Sequence, residues 1–266
     1  MGWNPDQMPD LTGRAAVITG ANTGLGAVAA RALAAHGAKV VLAVRTPSRA
    51  EKVREEILDA GGQAEIAALD LSSQESVREF AAGIDGPVDI LLNNAGVMAP
   101  PTHTTTVDGH EMQFGTNHLG HFALTGLLLP NLLQASHPRV TTVSSIAHNR
   151  GDSAVLQGNP PEGYNPQKSY GQSKLANLLF ADELQRRATS AGSPLTSTAA
   201  HPGVSNTSLF TRREGMGSNW IIRTLAPAAM SLVVPGPERS ADSLLFAATT
   251  AEPGSYTGPT GPGEIR

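Results

Sequence analysis

Short apolar runs recur along the chain without the apolar-polar alternation of a half-exposed strand. Ala15-Ala16-Val17-Ile18 is the first and Val40-Val41-Leu42-Ala43 the second; Ala64 to Leu69, Asp89 to Asn93, Arg139 to Ser144 and Leu195 to Ala200 follow. Near-continuous runs of this kind mark strands covered on both faces, as in a parallel sheet. Between them lie stretches with helical period: Ala-rich Leu25 to His36, ended by Gly37, charged Ser48 to Ala60, Ser72 to Ile84, and Ser169 to Arg187. Strand and helix alternate, and right-handed crossovers turn that alternation into an α/β fold, a single doubly wound Rossmann-type parallel sheet with helices on both faces. Ligands of such sheets lie beyond the carboxyl ends of the strands, so the segment after each strand is where chemistry is expected.

The chain of 266 residues fits one such domain, 1–266. Two loop-rich segments, Asn149 to Gln167 and Asn206 to Pro237, read as insertions over the site. Inside the second, apolar Trp220 to Val234 is flanked by Arg212-Arg213-Glu214-Gly215 and Pro235-Gly236-Pro237. It reads as a substrate lid over about 205–237, whose greasy inner face would exclude water and favour a lipophilic substrate.

Charge and composition then remove several function classes. A net charge of −4 without any Lys/Arg run gives no footprint for nucleic acid. The absence of cysteine excludes disulfides, thiolate nucleophiles and cysteine-based metal sites, and makes the cytoplasm the natural compartment. Met1 to Asp10 lacks the pattern of a signal peptide. Leu119 to Leu133 and Trp220 to Val234 are short for a spanning helix and are broken by Pro130 or by Arg223 and Pro227, so no transmembrane segment is expected. His118 and His121, with His110 and Glu111 nearby, lack a recognised ligand spacing, and no metal site is expected. Asp152 has no G-x-S-x-G partner for a hydrolase triad.

The first strand runs into Thr19-Gly20-Ala21-Asn22-Thr23-Gly24-Leu25-Gly26, with Ala29 three residues on. Glycines there allow a sharp turn and bring a helix N-terminus, with its free N–H groups, against a pyrophosphate. At the end of the second strand a carboxylate would bind a ribose 2′-hydroxyl and a cation a 2′-phosphate. Arg45 stands there, Arg49 adds a second guanidinium, and no acidic residue occurs from Val40 to Ala50. NADP(H) is favoured and NAD(H) stays open.

Tyr170 and Lys174 lie one helical turn apart at the start of a helix, so both side chains share a face. An adjacent ammonium would lower the phenol's pKa toward the range useful for acid-base work. The preceding strand ends in Val143-Ser144-Ser145, placing a hydroxyl where a substrate oxygen would sit. Ser145 is the favoured residue, although a one-residue slip would substitute Ser144. Asn93-Asn94-Ala95-Gly96 closes the fourth strand as a small, amide-rich turn, suited either to a cofactor ribose or to a tie between strands.

At these residues the chain resembles the short-chain dehydrogenase/reductase family. Thr19-Gly20-x-x-x-Gly24-x-Gly26, Asp70, Asn93-Asn94-Ala95-Gly96, Asn117, Ser145, Tyr170-x-x-Ser173-Lys174 and Pro202-Gly203 followed by Thr207 match in order, over roughly Leu11 to Gly258. The resemblance implies a catalytic set of Asn117, Ser145, Tyr170 and Lys174. Tyr170 would exchange the proton, Ser145 orient the carbonyl, Lys174 tune Tyr170 and hold the nicotinamide ribose, and Asn117 position a water leading from Lys174 to solvent. It further implies cofactor contacts at Gly20, Asn22, Thr23, Gly24, Leu25, Gly26, Arg45, Asp70, Leu71, Asn94, Ala95, Gly96, Pro202, Gly203, Val204 and Thr207. Gly20-Ala21-Asn22-Thr23-Gly24, Asn117-His118-Leu119-Gly120-His121-Phe122, His201-Pro202-Gly203-Val204 and the long interval from Ser145 to Tyr170 are similar to the retinol-dehydrogenase-like and WW-domain oxidoreductase-like branch. The expected activity is hydride transfer between nicotinamide and an alcohol/carbonyl pair, the alternative being a non-catalytic NADP(H)-binding sensor. A homodimer or homotetramer would form through helices near Phe114 to Leu133 and Ser169 to Arg187.

Overall fold

The computed structural model describes residues 3–159, 161–203 and 237–259. The candidate lid, with Val204 and Thr207, lies outside them. Strands β1 (Ala15–Thr19), β2 (Lys39–Val44), β3 (Gln63–Ala68), β4 (Ile90–Asn93), β5 (Arg139–Val143), β6 (Thr196–Ala200) and β7 (Tyr256–Thr257) pair in the order β3-β2-β1-β4-β5-β6-β7. Every pairing is parallel. The chain winds outward from β1 to β3 and then returns to β4 on the opposite side of β1, so a crevice opens at the carboxyl ends of β1 and β4.

Alternate residues of each central strand feed opposite faces, as the pleat requires. Ile18, Val40, Leu42, Ile90 and Leu92 join one buried cluster with Leu33 and Ala29 of helix α1 (Gly24–Ala35) and Val53 and Ile57 of α2 (Glu51–Asp59). Val17, Val41, Leu91 and Val140 join the other, with Val77 and Phe80 of α3 (Gln74–Ala82). Both faces are covered, which is why these strands read as unbroken apolar runs. Each fully buried Leu or Ile contributes on the order of 1.5–3 kcal/mol.

Several elements differ from the sequence expectation. Pro47–Arg49 form a single tight turn, so α2 starts at Glu51 and not at Ser48. The apolar stretch from Leu119 is not one helix. A helical path begins at α4 (Met112–Phe114), widens by one residue per turn over Gly115–Leu119, continues as α5 (Gly120–Leu127), and restarts at Pro130 within α6 (Leu129–Leu132). Helix α7 (Pro166–Ser190) follows β5. A last helix, α8 (Pro237–Thr249), had no counterpart in the sequence reading. Its buried Ala241, Leu244, Leu245 and Ala248 recur at helical spacing and pack with α1 in the first cluster. Trp3 meets Phe246 of α8 edge-on, ring centroids 5.5 Å apart. Among the described residues no helix is long and apolar enough to cross a membrane.

Candidate functional site

Strand β1 delivers Thr19 into a turn whose Gly20 and Gly24 have φ of +68° and +57°, a region that suits glycine. Close packing enforces the small side chains. A Cβ on Gly20 would lie 3.1 Å from Ala95, and one on Gly26 only 2.6 Å from both Asn94 Nδ2 and the Gly20 carbonyl. Asn94 Nδ2 donates to the Thr19 carbonyl at 2.8 Å, and the N–H groups of Asn94 and Ala95 donate to Thr19 Oγ1 at 2.8 and 2.9 Å. The Asn94-Ala95-Gly96 turn is therefore a tie between β1 and β4, and all three residues also face the adjoining cavity. Gly26 is not on the cavity wall; it lets α1 approach the tie.

That cavity, of about 510 Å³, runs along the carboxyl ends of the strands. On the β2 and β3 side it is lined by Arg45, Thr46, Arg49, Asp70 and Leu71, at the center by Gly20, Asn22, Thr23, Gly24 and Leu25, and on the β5 side by Ser144, Ser145, Tyr170, Lys174, Pro202 and Gly203. Asp70 Oδ1 also accepts from Ser72 N and Oγ, fixing the turn after β3. Val97, Met98 and Thr116 line the wall as well and were missed by the sequence reading. Val97 and Met98 follow Gly96 directly, so the end of β4 was the available signal.

Helix α7 starts at Pro166, with the Asn165 side chain accepting from the N–H groups of Gln167 and Lys168 at 3.0 Å. Its first turns are buried, and Tyr170 and Lys174 are 9% and 3% exposed. Lys174 Nζ donates to the Val143 carbonyl at 3.0 Å and stands 5.7 Å from the Tyr170 ring centroid. Burial pushes the phenol up to about 12, with the Ser145 hydroxyl pulling it back down, and burial pushes Lys174 down to about 8. Desolvation favours the neutral form of both groups, and the neighbour that lowers the phenol in this structure is the Ser145 hydroxyl. The two serines also separate. Ser144 Oγ donates to the Lys174 carbonyl at 2.8 Å, whereas Ser145 accepts from Ala147 N at 3.2 Å and faces the phenol.

Asn117 is fully buried behind the wall, in the wide turn between α4 and α5. Its Nδ2 donates to the Val97 carbonyl at 2.9 Å and to Ser173 Oγ at 3.0 Å, and its Oδ1 accepts from Val97 N at 2.8 Å. Ser173 Oγ in turn donates to the Tyr170 carbonyl at 2.8 Å. His118 packs its ring on Phe114 and Phe122, and among the described residues no His/Cys/Asp/Glu group is arranged to hold a metal ion.

The inserted segment between Ser145 and Tyr170 is pinned at several points. Asn159 donates to buried Glu111 at 2.9 Å, Tyr164 donates to the Pro100 carbonyl at 3.1 Å, and Asp152 pairs with Lys168 at 2.9 Å. Chemically, the site joins a helix N-terminus behind a left-handed glycine turn, suited to a pyrophosphate, to two arginines at one end and a buried phenol at the other. That donor set fits a dinucleotide.

The family model described as short chain dehydrogenase matches residues 14–216. The chain is 42% identical over 254 residues to retinol dehydrogenase 13 of Homo sapiens, covering 93% of this chain and 76% of the relative. It is 41% identical over 261 residues to the polyprenol dehydrogenase of Mus musculus, covering 94% and 76%. The crystal structure of an uncharacterized protein from Mycobacterium paratuberculosis, 44% identical, superposes with a TM-score of 0.79 over 97% of this chain and 85% of that one.

Proposed function

We propose, for a chain that belongs to the short-chain dehydrogenase family and is an oxidoreductase of CH–OH and C=O groups working with NAD(P)(H), a preference for NADP(H) and a lipophilic alcohol or carbonyl substrate. The observation that carries this reading is one continuous cavity holding the Gly20–Gly24 turn, Arg45 and Arg49, and the buried pair Tyr170 and Lys174. Arg45 and Arg49 support the 2′-phosphate form, since guanidinium groups match phosphate oxygens in geometry as well as charge. The names of the relatives, retinol and polyprenol dehydrogenases, support a long hydrocarbon substrate.

When bound, the dinucleotide supplies or takes up the hydride. The chain's own groups handle the oxygen and its proton. Ser145 Oγ hydrogen-bonds the substrate oxygen, and Tyr170 Oη gives that oxygen a proton during reduction and receives it during oxidation. Lys174, one helical turn from Tyr170, would hold the nicotinamide ribose. Asn117 clamps the chain after β4 to α7 through Val97 and Ser173 and keeps the nicotinamide end of the wall in register. Asp70 and Leu71, on the β3 side of the cavity, would border the adenine, and Pro202 and Gly203, on the β5 side, the nicotinamide.

A single domain over 1–266, a cytoplasmic location and a homodimer or homotetramer complete the proposal. Exposed Phe122 and Leu127 of α5 and Leu179 of α7 support association through those helices. The decisive experiment follows nicotinamide absorbance with retinoids, polyprenals, steroids and short hydrophilic carbonyls, each with NADPH and NADH. Turnover of the long apolar substrates with NADPH is expected. Turnover confined to small hydrophilic carbonyls would overturn the substrate class, and equal use of NADH the cofactor preference.

A further inference from the structure

His121 is 1% exposed and lies off the cavity wall, in contact with Thr19 and Asn117, which stand behind that wall. Its Nδ1 is 2.9 Å from the main-chain oxygen of Asn117, and its Nε2 is 2.9 Å from Thr19 Oγ1, across 102 positions of sequence. A carbonyl oxygen only accepts, so Nδ1 carries the proton. The neutral ring then presents a lone pair at Nε2, and the Thr19 hydroxyl donates to it. The alternative acceptor for that hydrogen, the Leu92 carbonyl, is farther away at 3.3 Å. With its hydrogen committed to His121, Thr19 Oγ1 offers its lone pairs to the N–H groups of Asn94 and Ala95.

One hydrogen-bond pattern satisfies every member of this buried chain, and it requires a neutral imidazole. Burial supplies that condition, pushing His121 down to about 3 against the pull of the Asn117 carbonyl, with the Lys174 and His118 charges acting in the same direction as burial. The Asn117 carbonyl is positioned for the ring because the helix widens there, Gly120 N–H bonding back to the Gly115 carbonyl.

We propose that His121 is a positioning residue that couples the glycine-turn centre of the active site to its phenol end. Through Thr19 it fixes the Asn94 and Ala95 amides on the dinucleotide side, and through the Asn117 carbonyl it fixes the turn whose side chain clamps Val97 and Ser173 beside Tyr170. The inference rests on the cavity being a dinucleotide-dependent active site. A histidine that merely fills the core would lose stability when replaced, without separating binding from turnover.

Two half-replacements test this. His121→Asn places an amide near Nδ1, retaining the Asn117 contact and losing Thr19. His121→Gln reaches the Nε2 position, retaining Thr19 and losing Asn117. NADPH binding by calorimetry, kcat at saturation and melting temperature are measured for each. His121→Asn is expected to raise the NADPH Kd about tenfold with a smaller change in kcat, and His121→Gln to lower kcat about tenfold with a smaller change in Kd. Thr19→Val, which removes the hydroxyl at nearly constant shape, approaches the same link from its far side. In that background His121→Asn should change Kd no further. Kd and kcat moving in equal proportion in both variants, neither moving, or full additivity with Thr19→Val would overturn the proposal. A wild-type protein that binds no NADPH would instead overturn the reading of the cavity itself, and the coupling with it.

Discussion

Lys174 Nζ directs its hydrogen bond to the Val143 carbonyl at 3.0 Å while standing 5.7 Å from the Tyr170 ring centroid, so amine and phenol share one water-poor pocket. The lysine is held at about 8, below its ordinary 10.5. Below pH ~8 the folded protein must hold a buried ammonium; between there and 10.5 the unfolded chain binds more protons, and the Lys174 contribution to stability rises with pH. Lys174→Met is therefore expected to stabilise the fold near neutral pH, by roughly 1–3 kcal/mol. The gain should shrink as pH climbs through that window. Melting temperatures of both proteins across it check the sign, and a difference independent of pH would remove Lys174 as its cause.

Tyr170, raised to about 12, keeps its proton throughout the neutral range. Carbonyl reduction needs that protonated phenol, whereas alcohol oxidation needs its conjugate base. The rate of oxidation at low substrate should climb about tenfold per pH unit on the acid side of this pKa, with reduction nearly flat, as expected for general acid-base catalysis. Tyr170→Phe should lower both by about 10²–10⁴ and leave NADPH binding close to wild type. Retained turnover would refute the assigned role.

Much of this arrangement was legible in the chain. Strands covered on both faces announce themselves as unbroken apolar runs, which located the ends of β1, β2, β4 and β5 and hence the glycine turn, Arg45, Asn94 and Ser145. What escaped depends on three dimensions. Asn117 and His121 acquire their contacts from a wide helical turn and from Thr19, far away in sequence. The relative pKa values of Tyr170 and Lys174 follow from burial, and spacing reports only that they are neighbours. Ser145 was favoured over Ser144 on strand position alone, and the Lys174 carbonyl, by accepting from Ser144, separates them in space. Helix α8 was missed for another reason: its periodic Ala241, Leu244, Leu245 and Ala248 are interleaved with Ser243, Phe246 and Ala247, which dilute the contrast.

Arg45 and Arg49 border the cavity where β2 ends. Arg45→Asp replaces an attraction for the 2′-phosphate with a repulsion and offers a carboxylate to a ribose 2′-hydroxyl. The ratio of kcat/KM for NADPH over NADH should fall by about 10- to 100-fold, in line with loss of a charge-assisted hydrogen bond. An unchanged ratio would remove Arg45 from cofactor selection.

Two glycines of α5 make opposite predictions for one substitution. At Gly126 an added Cβ would meet nothing within 4 Å, so Gly126→Ala should gain roughly the helix-propensity difference, about 0.8–1 kcal/mol. At Gly120 the same methyl would collide with the Leu71 carbonyl and lie 2.9 Å from Leu71 Cβ, both in the segment after β3 that lines the cavity. Relief requires α5 or the Leu71 backbone to move, at a cost typical of overpacking, about 1–3 kcal/mol. Moving Leu71 also shifts its neighbour Asp70, so Gly120→Ala should weaken NADPH binding as well as stability, whereas Gly126→Ala should leave binding alone. Melting temperature and NADPH Kd measured on the pair separate a packing constraint at the site from a general intolerance of α5 to alanine. Stabilisation by both substitutions would show that the approach of α5 to Leu71 has slack the geometry does not allow.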